Sequence, residues 1–384
     1  MRNGWQLKKL GDFISEYSVK NKCNETIPVY SVTNSQGFCK DYFSKEVASL
    51  DKSTYKIVPY GCFAYNPSRI NVGSVDWQNK EERVIVSPLY TVFSVSENLN
   101  RDFLLYFIKS NGTMGIINSL ATGTVRLNLK LSMLKEFVII VPPLSDQQSI
   151  VSELDKINEL IRLKKEQLKD YDNLAQGIFY EMFGDPVAND KKWDIESLGK
   201  VCDVRDGTHD SPQYLQESPY ILITSKNLVN GKIDYSNVNY ISEEDYIAIN
   251  KRSQVDDGDI IMAMIGTIGN PIIVKLEEHK FCIKNVALIK FFNDSLVSNK
   301  YVHSLLNNES YLTFIKSQNK GGTQKFVALG TIRKLPIPIP PLSYQQQFAQ
   351  RIELIEKQKA EIQSTIADLE TLLASRMQYW FFGF

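Results

Sequence analysis

From Phe137 to Val141 every side chain is apolar, a strand-like run that Pro142-Pro143 brings to an end. Beyond the prolines the apolar positions change period. With Ile150 as position a of a heptad, the a positions read Ile150, Ile157, Lys164, Tyr171 and Ile178, and the d positions Leu154, Ile161, Leu168, Ala175 and Met182. That spacing predicts a long helix with a coiled-coil seam and one polar interruption. Ser145 stands where an N-cap belongs, with Gln148 three positions on as in a capping box. The same sequence of events returns about 198 residues later: Ile339 and two prolines, Ser343, then a seam of Phe348, Ile352, Ile355, Lys359, Ile362, Ile366, Leu369 and Leu373. Lys164 and Lys359 are register-setting polar positions in these seams, and a lysine there can also snorkel out to solvent. Each helix of about 35 residues is about 52 Å long at 1.5 Å per residue. Two similar stripes in one chain pack most economically on each other, and an approximate two-fold relation makes them antiparallel.

The duplication extends past the helices. Trp5-Gln6-Leu7-Lys8-Lys9-Leu10-Gly11 is echoed by Trp193-Asp194-Ile195-Glu196-Ser197-Leu198-Gly199. Phe103–Ile108 matches Tyr301–Leu306, and Val58-Pro59-Tyr60-Gly61 matches Val255-Asp256-Asp257-Gly258. A common offset with drifting loops is the mark of a duplicated module. Between the shared landmarks the halves diverge. Alternating and β-branched runs at Tyr55–Val58, Arg83–Val86, Ile260–Met264 and Val286–Lys290 read as strands, and helices near 101–110 and 298–307 make each half α/β mixed. The expected division is a first globular domain at 1–144, a helix at 145–183, a second globular domain at 184–342 and a helix at 343–382.

Composition sets bounds on this picture. The 384 residues are too many for one core and comfortable for two domains. No apolar run reaches the roughly 18 residues of a membrane span, and the opening segment lacks a signal-peptide core, so the expected home is the cytoplasm. Five scattered cysteines and three histidines give neither a zinc spacing nor a disulfide framework, and no metal site is expected. The formal net charge is zero, which cuts against a free-standing nucleic-acid binder. Partner subunits that supply phosphate contacts, or a basic face balanced by acidic helices, resolve that conflict.

The candidate chemistry lies in the loops. One set comprises Thr33 and Asn34, then Asn66, Ser68, Arg69, Asn71 and Ser74, then Thr124 and Arg126. The other comprises Thr208 and His209, Lys226 and Asn227, Thr267 and Asn270, then Thr323, Gln324 and Lys325. Amides and guanidinium groups bond to base edges and hydroxyls to phosphates, although the same residue types also dominate ordinary turns. A turn has no use for a long cation, so Arg69, Arg126, Lys226 and Lys325 are the least explained by backbone needs. There is no GxxxxGK[ST] loop, HExxH or EF-hand pattern. Asn66-Pro67-Ser68-Arg69 lacks the second proline and the aromatic of an amino-methyltransferase motif. Asp259 with Glu278-His279-Lys280 is a faint nuclease echo that strand structure explains better. The chain reads as a binder and not as an enzyme.

Taken together, the order of elements resembles the specificity subunit of Type I restriction–modification systems. The Pro-Pro-Leu-Ser-x-Gln-Gln segments at 142–148 and 340–346, the Trp…Leu-Gly openings and Asp206-Gly207-Thr208-His209 carry the resemblance, which covers the whole chain. It implies two target-recognition domains separated by long antiparallel coiled-coil helices with an internal pseudo-two-fold repeat. Each domain would read one half of a split, asymmetric double-stranded DNA site. The helices would set the spacer and dock two adenine methyltransferase subunits, to which restriction subunits can be added. The chain itself would bind no cofactor: S-adenosylmethionine, and ATP with Mg²⁺ where a motor-nuclease is present, belong to the partners. Two rival readings are a coiled-coil assembly scaffold with paired protein-binding domains and a catalytic restriction enzyme with its own recognition part.

Overall fold

The computed structural model describes residues 4–40, 51–120, 128–266, 268–276, 278–318 and 326–383. It forms two compact units, Met1–Glu166 with Gln363–Phe384, and Gln167–Ile362. The helices in chain order are α1 (Arg101–Lys109), α2 (Asn111–Ser119), α3 (Leu131–Lys135), α4 (Leu144–Phe183), α5 (Leu198–Val201), α6 (Glu243–Ser253), α7 (Asn299–Asn307), α8 (Glu309–Ser317), α9 (Leu329–Arg333) and α10 (Leu342–Phe382). The architecture is mixed α/β with a doubled plan. The division into units differs from the expected four segments because each globular core claims part of both long helices.

Within the first unit, strands Ile14–Glu16, Thr91–Val95, Phe63–Tyr65 and Val75–Trp77 make an antiparallel sheet in that order. In the second unit Cys202–Asp206, Val286–Phe291, Ile260–Ala263 and Gly269–Ile273 make the same sheet. Behind each sheet lies the same three-helix set, α1–α3 in one unit and α7–α9 in the other. Its helices start on equivalent caps: Asn100 and Ser298 accept from Phe103 N and Tyr301 N, while Ser110 and Asn308 accept from Thr113 N and Tyr311 N. Asn and Ser interchange at these caps because either oxygen satisfies a free N–H of the first turn. The opening motif pairs with the run before the prolines, Gln6–Lys9 with Val138–Val141 and Asp194–Ser197 with Pro336–Ile339. Leu10 and Leu198 are fully buried. A Cβ on Gly11 would lie 3.2 Å from the Lys135 carbonyl, and one on Gly199 3.2 Å from that of Arg333, so the close approach to α3 and α9 favours glycine.

The long helices have 40 and 41 residues, about 60 Å each. In the first unit Ile150, Leu154, Ile157, Ile161 and Ile366 are buried and Leu369 is half-buried. Glu153 pairs with Arg376, and Lys165 further along pairs with Glu370 at 2.7 Å, so the two segments run antiparallel. In the second unit Ile352, Ile355 and Ile362 are buried and Leu168 is half-buried. There Asp172 meets the seam lysine Lys359, and the Phe183 ring lies 5.1 Å from that of Phe348, again antiparallel. Lys359 thus leaves its seam for a carboxylate on the facing helix.

The helix starts differ from the sequence expectation. Both begin one residue earlier, at Leu144 and Leu342, and the preceding proline carbonyls take the first-turn amides: Pro143 O accepts from Asp146 N and Gln147 N, Pro341 O from Tyr344 N and Gln345 N. Ser145 and Ser343 therefore lie inside the helix and are not its caps, and Gln148 is exposed. The glutamine that folds back is its neighbour. Gln147 is fully buried, accepts from Asn100 N at 2.7 Å and donates to the carbonyls of Asn98 and Pro142 at 3.1 and 2.9 Å. Gln345 makes the same three bonds with Ser298 N, Leu296 O and Pro340 O at 2.8, 2.9 and 2.8 Å. One side chain ties helix start, proline turn and three-helix set together in each half.

The strand boundaries shift by a residue or so: Tyr55–Val58 is observed as Lys56–Pro59, and Ile260–Met264 ends at Ala263. The helix α6, whose first turn holds Glu243, Glu244 and Asp245, has no counterpart in the sequence reading.

Candidate nucleic-acid interface

In the first unit the loop 66–74 leaves the central strand and is folded by its own polar groups. Asn66 Oδ1 accepts from Ser68 N at 3.0 Å, and Ser74 N donates to Arg69 O at 3.2 Å. The hairpin Ser31–Thr33/Gly37–Cys39 is held against this loop. Ser74 Oγ donates to the Val32 carbonyl at 2.6 Å, and Phe38 N donates to Asp76 Oδ2 at 3.0 Å. Thr33 Oγ1 accepts from Gln36 N at 3.1 Å and closes the hairpin turn. Asn34 Oδ1 crosses Gly73, where a Cβ would come within 2.4 Å of it. Burial pushes the Asp76 carboxyl above its ordinary range against the pull of the Phe38 N–H and Lys109, and pulls the Lys109 ammonium down. Asp76 is thus a structural anchor that sequence reasoning missed.

These contacts sort the predicted residues. Thr33, Asn66 and Ser74 spend their side-chain oxygens on the backbone of the loops. Asn34, Ser68 and Arg69 are exposed and Asn71 is half-buried, all on the two loops that the structure brings together. Among the described residues Arg69 has no ion-pair partner. Thr124 and Arg126 lie outside the described residues, as do Thr267, Thr323, Gln324 and Lys325.

In the second unit Tyr220–Thr224 runs parallel to Lys280–Lys284, so Thr224 and Lys284 are adjacent at the strand ends. Beyond Thr224 a turn closes on Asn227. Its Oδ1 accepts from Thr224 N and Oγ1, both at 3.0 Å, and its Nδ2 donates to the Asp234 and Asn237 carbonyls. Asn227 is buried and saturated, while Lys226 is exposed. Thr33 and Thr224 both stand at a strand end and bond to the residue three positions on, which matches the two loops to each other. Asn270, at φ +49, turns its Nδ2 toward Leu228 O at 3.5 Å, a long contact.

The strand Cys202–Asp206 delivers the loop of Thr208 and His209 to the same end. Thr208 N donates to Ile283 O at 3.0 Å, Asn285 N to Thr208 O at 3.2 Å, and Thr208 Oγ1 accepts from Asp210 N at 3.1 Å. His209 is exposed, yet both ring nitrogens are engaged, Nε2 with Asp206 Oδ2 and Nδ1 with Asn285 Oδ1, each at 2.8 Å. Nearby cations are committed to carboxylates: Arg205 to Asp203, Arg252 to Asp206, and Lys290 to Asp256 and Asp259. Burial pulls Lys290 down, but bonds to the two aspartates outweigh it and raise the ammonium. Asp259, which also accepts from Asp256 N, is spent on this pair, and His279 stacks on Tyr235 with ring centroids 4.0 Å apart. Asp259 and His279 are thus engaged in structural contacts. The first unit offers the exposed Asn34, Ser68 and Arg69 on paired loops and the second the exposed Lys226 beside the His209 loop, groups suited to recognising a surface of hydrogen-bonding edges and phosphates.

The family model for the Type I restriction modification DNA specificity domain matches residues 2–170 and again 190–371. The chain belongs to this family. The two matches coincide with the duplicated frame. Among curated relatives, the chain is 20% identical to the Type I restriction enzyme MjaVIII specificity subunit of Methanocaldococcus jannaschii, over 96% of this chain and 92% of that one. It is 25% identical to a putative Type I restriction enzyme specificity subunit of Haemophilus influenzae, over 69% of this chain and 66% of the relative. A chain solved for the structural basis of complex assembly and conformational transition of the type I R-M system has the same fold. It aligns with a TM-score of 0.63 at 18% identity, covering 99% of this chain and 98% of that one. The specificity family is the non-catalytic DNA-recognition component of restriction–modification complexes. Among the described residues of this specificity chain, no helix is long and apolar enough to cross a membrane.

Proposed function

We propose that each unit reads one half of a bipartite double-stranded DNA site, and that the paired helices set the unread gap and dock two adenine methyltransferase subunits. Restriction subunits join the same assembly, and S-adenosylmethionine, ATP and Mg²⁺ are held by the partners. The observation that carries this reading is a frame repeated bond for bond, around Gln147 and Gln345, that presents different loops. A duplicated frame offers two equivalent positions to a duplex, while the exposed Asn34, Ser68 and Arg69 in one unit and the exposed Lys226 in the other cannot read the same bases. The two half-sites therefore differ. Formal neutrality fits a subunit whose phosphate contacts are shared with its partners.

Methylation sequencing of DNA from cells that co-express this chain with its adenine methyltransferase tests the reading. It should return one motif of two unlike half-sites separated by a fixed run of unspecified bases. A continuous motif, or methylation that does not depend on this chain, would favour a protein scaffold.

A further inference from the structure

We propose that Asn285 is a DNA-contacting residue of the second unit, with its amide held in place by His209, Asp206 and Arg252. The inference rests on the reading of that unit as a half-site reader and names one residue by which it reads. His209 looks like a DNA contact in sequence, but its Nε2 is bonded to Asp206 and its Nδ1 to Asn285, so neither nitrogen is left for a base. Asp206 is fixed in turn. Its side chain is only 8% exposed, and its other oxygen takes Nη2 of Arg252 on α6. The order of support runs from Arg252 to Asp206, to His209, to Asn285.

Asn285 is placed to use that support. It sits at φ +54, a left-handed conformation that asparagine tolerates better than most residues, and its N–H is tied to Thr208 O. It follows Lys284 directly, at the strand end shared with Thr224, two residues before the exposed Lys226. One end of its amide is occupied by His209. Among the described residues its Nδ2 has no hydrogen-bond partner and is not a buried orphan. A side chain locked at one end and open at the other is preorganised to exchange a hydrogen bond with DNA: its outward group donates to N7, O6 or O4 of a base or to a phosphate oxygen when His209 Nδ1 carries a proton, and accepts from a base amino group when it does not.

The test uses the full chain in complex with its methyltransferase, with binding to duplexes carrying the methylated motif and genome-wide methylation as readouts. Asn285→Ala should weaken binding roughly tenfold. Relaxation of one position in the half-site of the second unit identifies a base contact, and equal loss across sequences identifies a phosphate contact. Asn285→Asp keeps the shape but removes the amide N–H groups and brings a negative charge toward DNA, so it should be at least as defective with an unchanged melting temperature. His209→Ala and Asp206→Asn should relax the same position as Asn285→Ala, which a merely structural role would not do. The proposal is overturned if Asn285→Ala and Asn285→Asp bind and methylate as the parent does, or if His209→Ala lowers only the melting temperature. Failure of the underlying reading looks different: exchanging residues 184–342 with those of a relative would leave both half-sites unchanged.

Discussion

Gly207→Ala is expected to unfold the recognition end of the second unit. The strand Cys202–Asp206 passes so close to Lys280–Lys284 that a Cβ on Gly207 would stand 2.2 Å from the Ile283 carbonyl oxygen and 2.8 Å from Lys284 N. The obstacles are backbone atoms of a strand paired along its length with Tyr220–Thr224, so they cannot swing away as a side chain could. Relief requires the loop to lift, which breaks Gly207 N to Val286 O and Thr208 N to Ile283 O, both 3.0 Å, and removes the support of His209. A cost of about 3 kcal/mol is expected, a fall of roughly 6–12 °C in melting temperature for a unit of this size. Calorimetry of the variant checks this; an unchanged transition would show that the strands are not so closely apposed.

Gln147→Leu and Gln345→Leu should each destabilise the protein by about 3 kcal/mol, and by similar amounts. Leucine fills most of the space but can neither accept nor donate, and each substitution strands one N–H and two carbonyls of the backbone. In one half these are Asn100 N, Asn98 O and Pro142 O; in the other Ser298 N, Leu296 O and Pro340 O. Denaturant unfolding of the two variants side by side measures how far the repeat is energetic as well as geometric. A large loss for one and none for the other would break the equivalence of the halves.

The duplicated frame was legible in the chain because it depends on local period and on a few obligatory residues. Seam positions such as Ile150 and Ile352 repeat at heptad spacing, and Gly11 and Gly199 repeat because a helix end crowds both. The helix caps were misread. A repeated Gln-Gln pair does not say which amide turns inward, and proline carbonyls can close a first turn without a serine. The loops were the least legible. Asn34 and Asn227 look alike in sequence, yet one is exposed and the other is buried with four hydrogen bonds. The difference lies in strand pairing and in contacts such as Asp234 and Asn237, which no local pattern announces. Asn285 was missed for the same reason: its partner His209 is 76 residues away, joined to it only by the sheet.

The central claim is that the repeated frame is common to both halves and that the unrepeated loops choose the DNA. Exchanging residues 1–141 for those of a family relative with a different target carries over both strands of the pair Gln6–Lys9 and Val138–Val141 and leaves the second unit intact. Methylation sequencing of cells that express this chimera with the methyltransferase is the most direct measurement. The account predicts that one half-site changes to that of the donor while the other half is unaltered. A motif changed in both halves, or in neither, would contradict it.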